Sequence, residues 1–141
     1  MKFRLTSEKI NESDLKGFET QYGIKLPKSF KDFYLEHNGG IPSLRYYKDQ
    51  RIAAFTSIKY GRESGRTGII MEVHQLGDLL PEGYIPFAFD SGGWNFCINT
   101  NDIDYGHIYI LPNGVVDNKP IFLSESFESF IGGLKAEDTY E

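Results

Sequence analysis

The residues with chemistry to offer are few: His37, His74 and His107, the single cysteine Cys97, and the turn acids Asp90, Asp102 and Asp104. A histidine metal site needs a ligand spacing such as H-E-x-x-H, and no pair here has one, so each histidine reads as structural or surface. His37 falls in the last turn of an expected helix, where it would bond a terminal carbonyl and suit the negative dipole end. Cys97 would need a neighbouring base and an orienting group to act as a nucleophile. The sequence around it shows neither, and a buried thiol is the expectation. One cysteine also leaves no internal disulfide and no cysteine metal cluster. Asp90 precedes Ser91-Gly92-Gly93, where a carboxylate accepts turn amides. Asp102 and Asp104 sit in "TNDIDYG", an oxygen-rich turn without the calcium-loop spacing or its closing glutamate. No catalytic residue, cofactor or metal is assigned, and the expectation is a protein that is not an enzyme.

As a contact surface the same residues offer more. Asp102, Asp104 and Tyr105 would engage a positively charged protein, and Asp90 and Trp94 flank a second turn that would join them. Glu63 lies in a loop able to adapt to a partner. Tyr46 and Tyr47 point to opposite faces of a short extended segment, which leaves Tyr47 as a further contact candidate. Interface anchors are typically aromatic residues ringed by polar ones. Trp94 has a competing place in the core, because it starts an alternating strand.

The elements that would position these residues follow from periodicity. The chain has 141 residues and a net charge of −5, with eleven Phe and nine Tyr, enough for one domain with a ring-rich core. Residues 12–22 read as a helix: Asn11 caps it, Glu12 and Asp14 suit the dipole, Leu15, Phe18 and Tyr22 form its stripe, and Gly23 ends it. A second helix starts at "LPKSF" with Pro27 at its first position. It carries Phe30, Phe33 and Tyr34 and stops at Asn38-Gly39-Gly40, with Gly39 as the capping glycine. Gly39 and Gly40 follow their helix, so the nearby dipole end is negative and would repel a phosphate. "LRYY" and "RIAAFT" read as short strands separated by Lys48-Asp49-Gln50. Residues 59–68 form a glycine-rich loop, "IIMEV" a strand or extended segment, and "HQLGDLLPEG" one helical turn. "YIPFAFD" and "WNFCINT" form a hairpin across "SGG", with a bulge or unpaired side at Pro86. "HIYILP" is the next strand and "NGVVDNK" a turn or edge segment. A closing helix carries Phe127, Phe130, Ile131 and Leu134 behind Ser124 as cap, and 135–141 is a loose tail. The sum is an α+β single domain over 1–141: two N-terminal helices, a central, mainly antiparallel sheet and a C-terminal helix.

Charge and length exclude some classes. The densest basic stretch, Lys59, Arg62 and Arg66, is interrupted by Glu63, so no direct nucleic-acid contact is expected. No apolar run approaches 18 residues and the N-terminus turns polar early, so neither a membrane span nor a signal peptide is expected, which suggests the cytoplasm.

Three blocks in order carry a family resemblance: "YGIKLPKSFKDFYLEHNGG" (22–40), "IPFAFDSGGWNFCIN" (85–99) and "SFESFIGGL" (126–134). Together they resemble the SMI1/KNR4 family, the first group of the SUKH superfamily, over nearly the whole chain. The resemblance implies a binding protein. Bacterial members are regarded as immunity proteins that neutralise cognate toxin domains, often nucleases, of polymorphic or contact-dependent systems. Fungal relatives are larger regulators of cell-wall synthesis, and the short chain resembles the bacterial kind. A cytoplasmic protein that inhibits a basic toxin domain stoichiometrically is the expectation; the alternative is a non-catalytic adaptor in envelope regulation. Trp94 is bulkier than the residue relatives often carry there, and the 59–68 loop falls in a segment that varies. Both bear on the partner's identity. The family motifs coincide with caps, turns and core, so recognition is expected to rest on residues outside them.

Overall fold

The computed structural model describes residues 1–59, 68–69, 73, 76–112 and 119–136. Helix α1 spans Glu12–Tyr22, and its ends are those the sequence predicts. Asn11 and Asp14 form a reciprocal capping box, with Asp14 N–H donating to Asn11 Oδ1 at 2.9 Å and Asn11 N–H to Asp14 Oδ2 at 3.0 Å. Gly23 closes the helix in the left-handed region at φ 63°. Burial of Leu15 and Phe18 fixes its inner stripe.

Helix α2 spans Lys28–Glu36 and departs from expectation at both ends. Pro27 is the extended N-cap rather than the first helical residue, its carbonyl accepting from Lys31 N–H at 3.1 Å. At the other end the helix stops at Glu36 and His37 is an extended C-cap, so Gly39 is not the capping glycine. The reason is Asn38, which is buried. Its Nδ2 donates to the carbonyls of Glu8 (2.8 Å) and Ile58 (2.9 Å), and its Oδ1 accepts Ile58 N–H at 2.8 Å. Those bonds draw the chain inward before a glycine cap can form.

Gly39 and Gly40 then serve close packing at positive φ, 82° and 113°. A Cβ on Gly39 would lie 2.9 Å from Ser57 N, and one on Gly40 2.7 Å from Arg4 O. The His37 ring stacks on Phe3 at 4.3 Å rather than reaching a carbonyl, and burial lowers its pKa, so at neutral pH it carries no charge for the dipole.

The strands are β1 Phe3–Arg4, β2 Ile41–Pro42, β3 Tyr46–Tyr47, β4 Gln50–Arg51, β5 Ala54–Phe55, β6 Tyr84–Phe89, β7 Asn95–Asn99, β8 Ile108–Leu111 and β9 Ile121–Ser124. Strands β1 and β2 pair, β3 and β4 form a small hairpin that includes Gln50, and β5 to β9 make a five-stranded antiparallel sheet in sequence order. The register of β6 on β7 slips between Pro86 and Ala88, the irregularity that Pro86 predicts. Helix α3, Phe127–Gly132, is capped by Ser126, whose hydroxyl accepts Ser129 N–H at 3.0 Å. Ser124, the expected cap, instead ends β9 and donates to Ser126 O at 3.1 Å. The expected two N-terminal helices, antiparallel sheet and C-terminal helix are all present, an α+β architecture.

Ile69, Val73 and Leu76 are helical, and a 3-10 turn follows at Gly77–Leu79. The strand reading of "IIMEV" does not hold at its described residues: Ile69 and Val73, followed by Leu76, are spaced at four and three, the helical period. Lys135 is tied to the β3 hairpin: its N–H donates to Tyr46 O at 2.7 Å and its carbonyl accepts from Arg45 and Tyr46. The rest of the expected tail, 137–141, and residues 113–118 of "NGVVDNK" lie outside the described residues.

The core is aromatic. Phe30, Phe87 and Phe127 meet edge to face at 4.9–5.9 Å, and Phe130 continues the cluster to Phe96 at 5.7 Å. Tyr34 pins α2 to the sheet, its buried hydroxyl donating to Thr56 O at 2.7 Å and Phe87 O at 3.0 Å.

Candidate partner-binding surface

Strand β7 is buried along its whole length, and the turn leaving it, residues 100–106, projects from the sheet. Side chains hold that turn. Asn99 Oδ1 accepts Asn101 N–H at 2.8 Å and its Nδ2 donates to Ile103 O at 3.2 Å. Thr100 Oγ1 donates to Gly83 O, and Asn101 Nδ2 donates to Glu82 O at 2.9 Å, which lashes the turn to the entry of β6. Gly106 N–H returns to Asn99 O at 2.7 Å and His107 N–H to Asp104 O at 3.1 Å. Asp104 takes a left-handed φ of 59°, a conformation Asp tolerates better than most residues.

Tyr105 makes the longest reach, its hydroxyl donating to Lys25 O at 2.7 Å. Burial, and secondarily the Glu19 carboxylate, raise its pKa. Between this turn and the C-terminal end of α1 lies an open groove of about 930 Å³, lined in part by Lys16, Glu19, Ile24, Lys25, Asp102 and Tyr105.

At the tip stands Ile103, 80% exposed, with Asp102 and Asp104 on either side of it. Ile103 is not among the contact residues expected from the sequence. The signal was available: in "NDIDYG" a β-branched apolar residue sits where turn chemistry calls for a polar one.

The structure separates the expected cluster. Asp102, Asp104 and Tyr105 belong to one exposed turn. Asp90 and Trp94 belong to the preceding hairpin turn, at the other end of β7. Five strand residues at about 3.3 Å each place the two turns roughly 17 Å apart. Asp90 takes the turn role its sequence suggests, Oδ1 accepting Gly92 N–H and Trp94 N–H, both at 2.9 Å. Trp94 is half-buried and packs against the core.

Tyr47 is not on the surface. It is 8% exposed, its ring lies 4.8 Å from Phe130 and its hydroxyl donates to Leu123 O at 2.9 Å. Of the Tyr46–Tyr47 pair it is the core member. Glu63 lies outside the described residues, as does His74. Cys97 is fully buried in the middle of β7. Among the described residues no group of three or more His, Cys, Asp or Glu could hold a metal ion, and no helix is long and apolar enough to cross a membrane.

The family model described as SMI1 / KNR4 family (SUKH-1) matches residues 9–133. The match begins just before α1 and ends just after α3, so it takes in both N-terminal helices, the sheet and the exposed turn. No curated protein matches the chain.

Proposed function

The chain belongs to the SMI1/KNR4 family (SUKH-1), and on that premise we propose that it is a non-catalytic protein-binding module, an immunity protein that neutralises a cognate bacterial toxin domain. The family assignment points to protein–protein interaction. One observation carries the placement of the contact: a large apolar side chain, Ile103, held 80% exposed on a turn whose backbone is fixed by side-chain hydrogen bonds. An exposed anchor on a rigid support loses little conformational entropy on binding, which favours affinity.

In this reading Ile103 enters an apolar recess of the toxin while Asp102 and Asp104 meet cationic groups around it. A nuclease domain, basic where it holds phosphate, has the complementary charge. The net charge of −5 speeds encounter, and the flanking carboxylates reject partners with acidic rims. Inhibition is stoichiometric and takes place in the cytoplasm, by covering the toxin's site or fixing it in an inactive form.

Capture from the native cells with tagged protein tests the proposal, comparing wild type with Ile103→Asp and with the triple variant Asp102→Ala, Asp104→Ala, Tyr105→Ala. A toxin-domain protein retained by wild type, lost by both variants and inhibited at one-to-one stoichiometry is the expected result. Equal recovery by all three would move the interface off this turn. Recovery of envelope regulators alone would replace immunity with the adaptor role.

A further inference from the structure

Helices α2 and α3 cross with Phe33 and Phe127 edge to face at 5.2 Å. Beside that contact lies an open groove of about 220 Å³ whose floor is Phe33, Phe127 and Ile131. Its rim is acidic: Asp32 and Glu36, one turn apart on α2, and Glu128 on α3, all exposed. Among the described residues no lysine or arginine lines it. The contrast with the neighbouring depression between α1 and α2 is instructive, because there Lys16, Lys28 and Lys31 alternate with Glu12, Glu19 and Asp32 and the charges offset one another.

We propose that the α2–α3 groove is a second docking site, which receives a basic amphipathic helical segment of a protein partner through one or two arginine or lysine side chains. The aliphatic stem lies on Phe33 and Ile131, and the cationic head reaches Glu36 and Glu128. Amphipathic side chains are suited to such a place, apolar along the stem and charged at the tip, and an aromatic floor adds a cation–π contribution. The volume argues against a small-molecule site, which usually needs about 300–1,000 Å³. It suits single side chains.

Lys28 already pairs with Asp32 at 2.6 Å, which leaves Glu36 and Glu128 as the carboxylates that decide the charge. His37, 3.6 Å from Glu36, does not neutralise it at pH 7, because burial lowers the histidine's pKa. A second copy of this acidic chain is a poor occupant on electrostatic grounds. This groove shares no lining residue with the one beside the 100–106 turn, so the proposal stands whether or not Ile103 is the toxin anchor.

The test uses the full chain and a synthetic helix-forming peptide with leucine and arginine one turn apart, beside versions with glutamine or glutamate in place of arginine. Binding is read by fluorescence anisotropy and by amide chemical shifts. The arginine peptide is expected to shift the amides of Asp32, Phe33, Glu36 and Glu128 and to bind at least tenfold more tightly than the glutamine peptide. The double variant Glu36→Lys, Glu128→Lys is expected to weaken it at least tenfold while melting with the wild type. Ile103→Asp protein is expected to bind the peptide normally. Shifts centred on residues 100–106, undiminished binding by the double variant, or a concentration-dependent dimer that the double variant dissolves would each overturn the proposal.

Discussion

Asn38-Gly39-Gly40 and the 100–106 turn are built with the same device and put to opposite ends. In each, an asparagine side chain replaces missing backbone partners, and glycine at positive φ lets the chain reverse. The first segment runs between layers, so every polar group of Asn38 turns inward and the glycines are pressed against Ser57 and Arg4. The second leaves the end of the sheet, so its bonds hold a shape and leave Ile103 outside. Hydrogen-bonded irregular backbone is therefore no sign of a contact surface. The sign is an apolar side chain that such backbone fails to bury.

That contrast breaks most visibly through stability. Asn38→Ala removes three bonds, two of them to the buried backbone of Ile58 and one to the part-buried carbonyl of Glu8, a loss of about 3 kcal/mol. Gly40→Ala, with φ 113° and a Cβ 2.7 Å from Arg4 O, is expected to cost a comparable amount. Chemical denaturation measures both, and a change below about 1 kcal/mol for either would remove the clamp role. Next in size comes Ile103→Asp. Fully burying an isoleucine is worth about 1.5–3 kcal/mol, so binding to the captured partner should fall roughly 10–100-fold. Stability should stay within about 0.5 kcal/mol, because the side chain is exposed in the folded protein. A smaller effect is expected from Asn99→Ala. It frees the tip, lowers stability by about 1 kcal/mol, and weakens partner binding severalfold although Asn99 itself is buried. Titration calorimetry separates these two: the first loses contact, the second loses preorganisation.

The sequence made some of this legible and hid the rest for physical reasons. Helix α1 was readable because its cap, stripe and terminating glycine are all local, and the β6–β7–β8 meander because alternation and turn residues agree. The separation of Asp90 from Asp102 was implicit as well, since successive antiparallel hairpins turn at opposite ends. Asn38 was not readable, because its deciding partner, Ile58, is twenty residues away. Tyr47 was ambiguous because a two-residue strand gives no face from periodicity; the Leu123 carbonyl that takes its hydroxyl comes from β9. The α2–α3 groove needs two helices from opposite ends of the chain to meet.

The finest separation between the two segments is their response to alkali. The Asn38 clamp contains no titratable group, whereas the 100–106 turn is tied to Lys25 by a phenol. Burial and, after it, the Glu19 carboxylate raise the Tyr105 pKa above 10.0, so the folded protein favours the protonated ring. A raised pKa contributes stability that is fully present below the unfolded value and is lost as pH climbs through the folded one. The turn should therefore be intact at neutral pH and loosen above about pH 10, when a phenolate can no longer donate to a carbonyl. Tyr84, beside Gly83 in the same corner, is pushed up to about 12 by burial and by Tyr109. Amide exchange followed from pH 9 to 11 is expected to show reduced protection at residues 99–106 relative to Asn38–Gly40, after correction for the intrinsic rate. In Tyr105→Phe the tie is absent at every pH, so the turn should be less protected from the start and show no further step. A step of equal size in the phenylalanine variant would show that the Tyr105 phenol does not cause the alkaline loosening, and would leave it a passive neighbour of the turn.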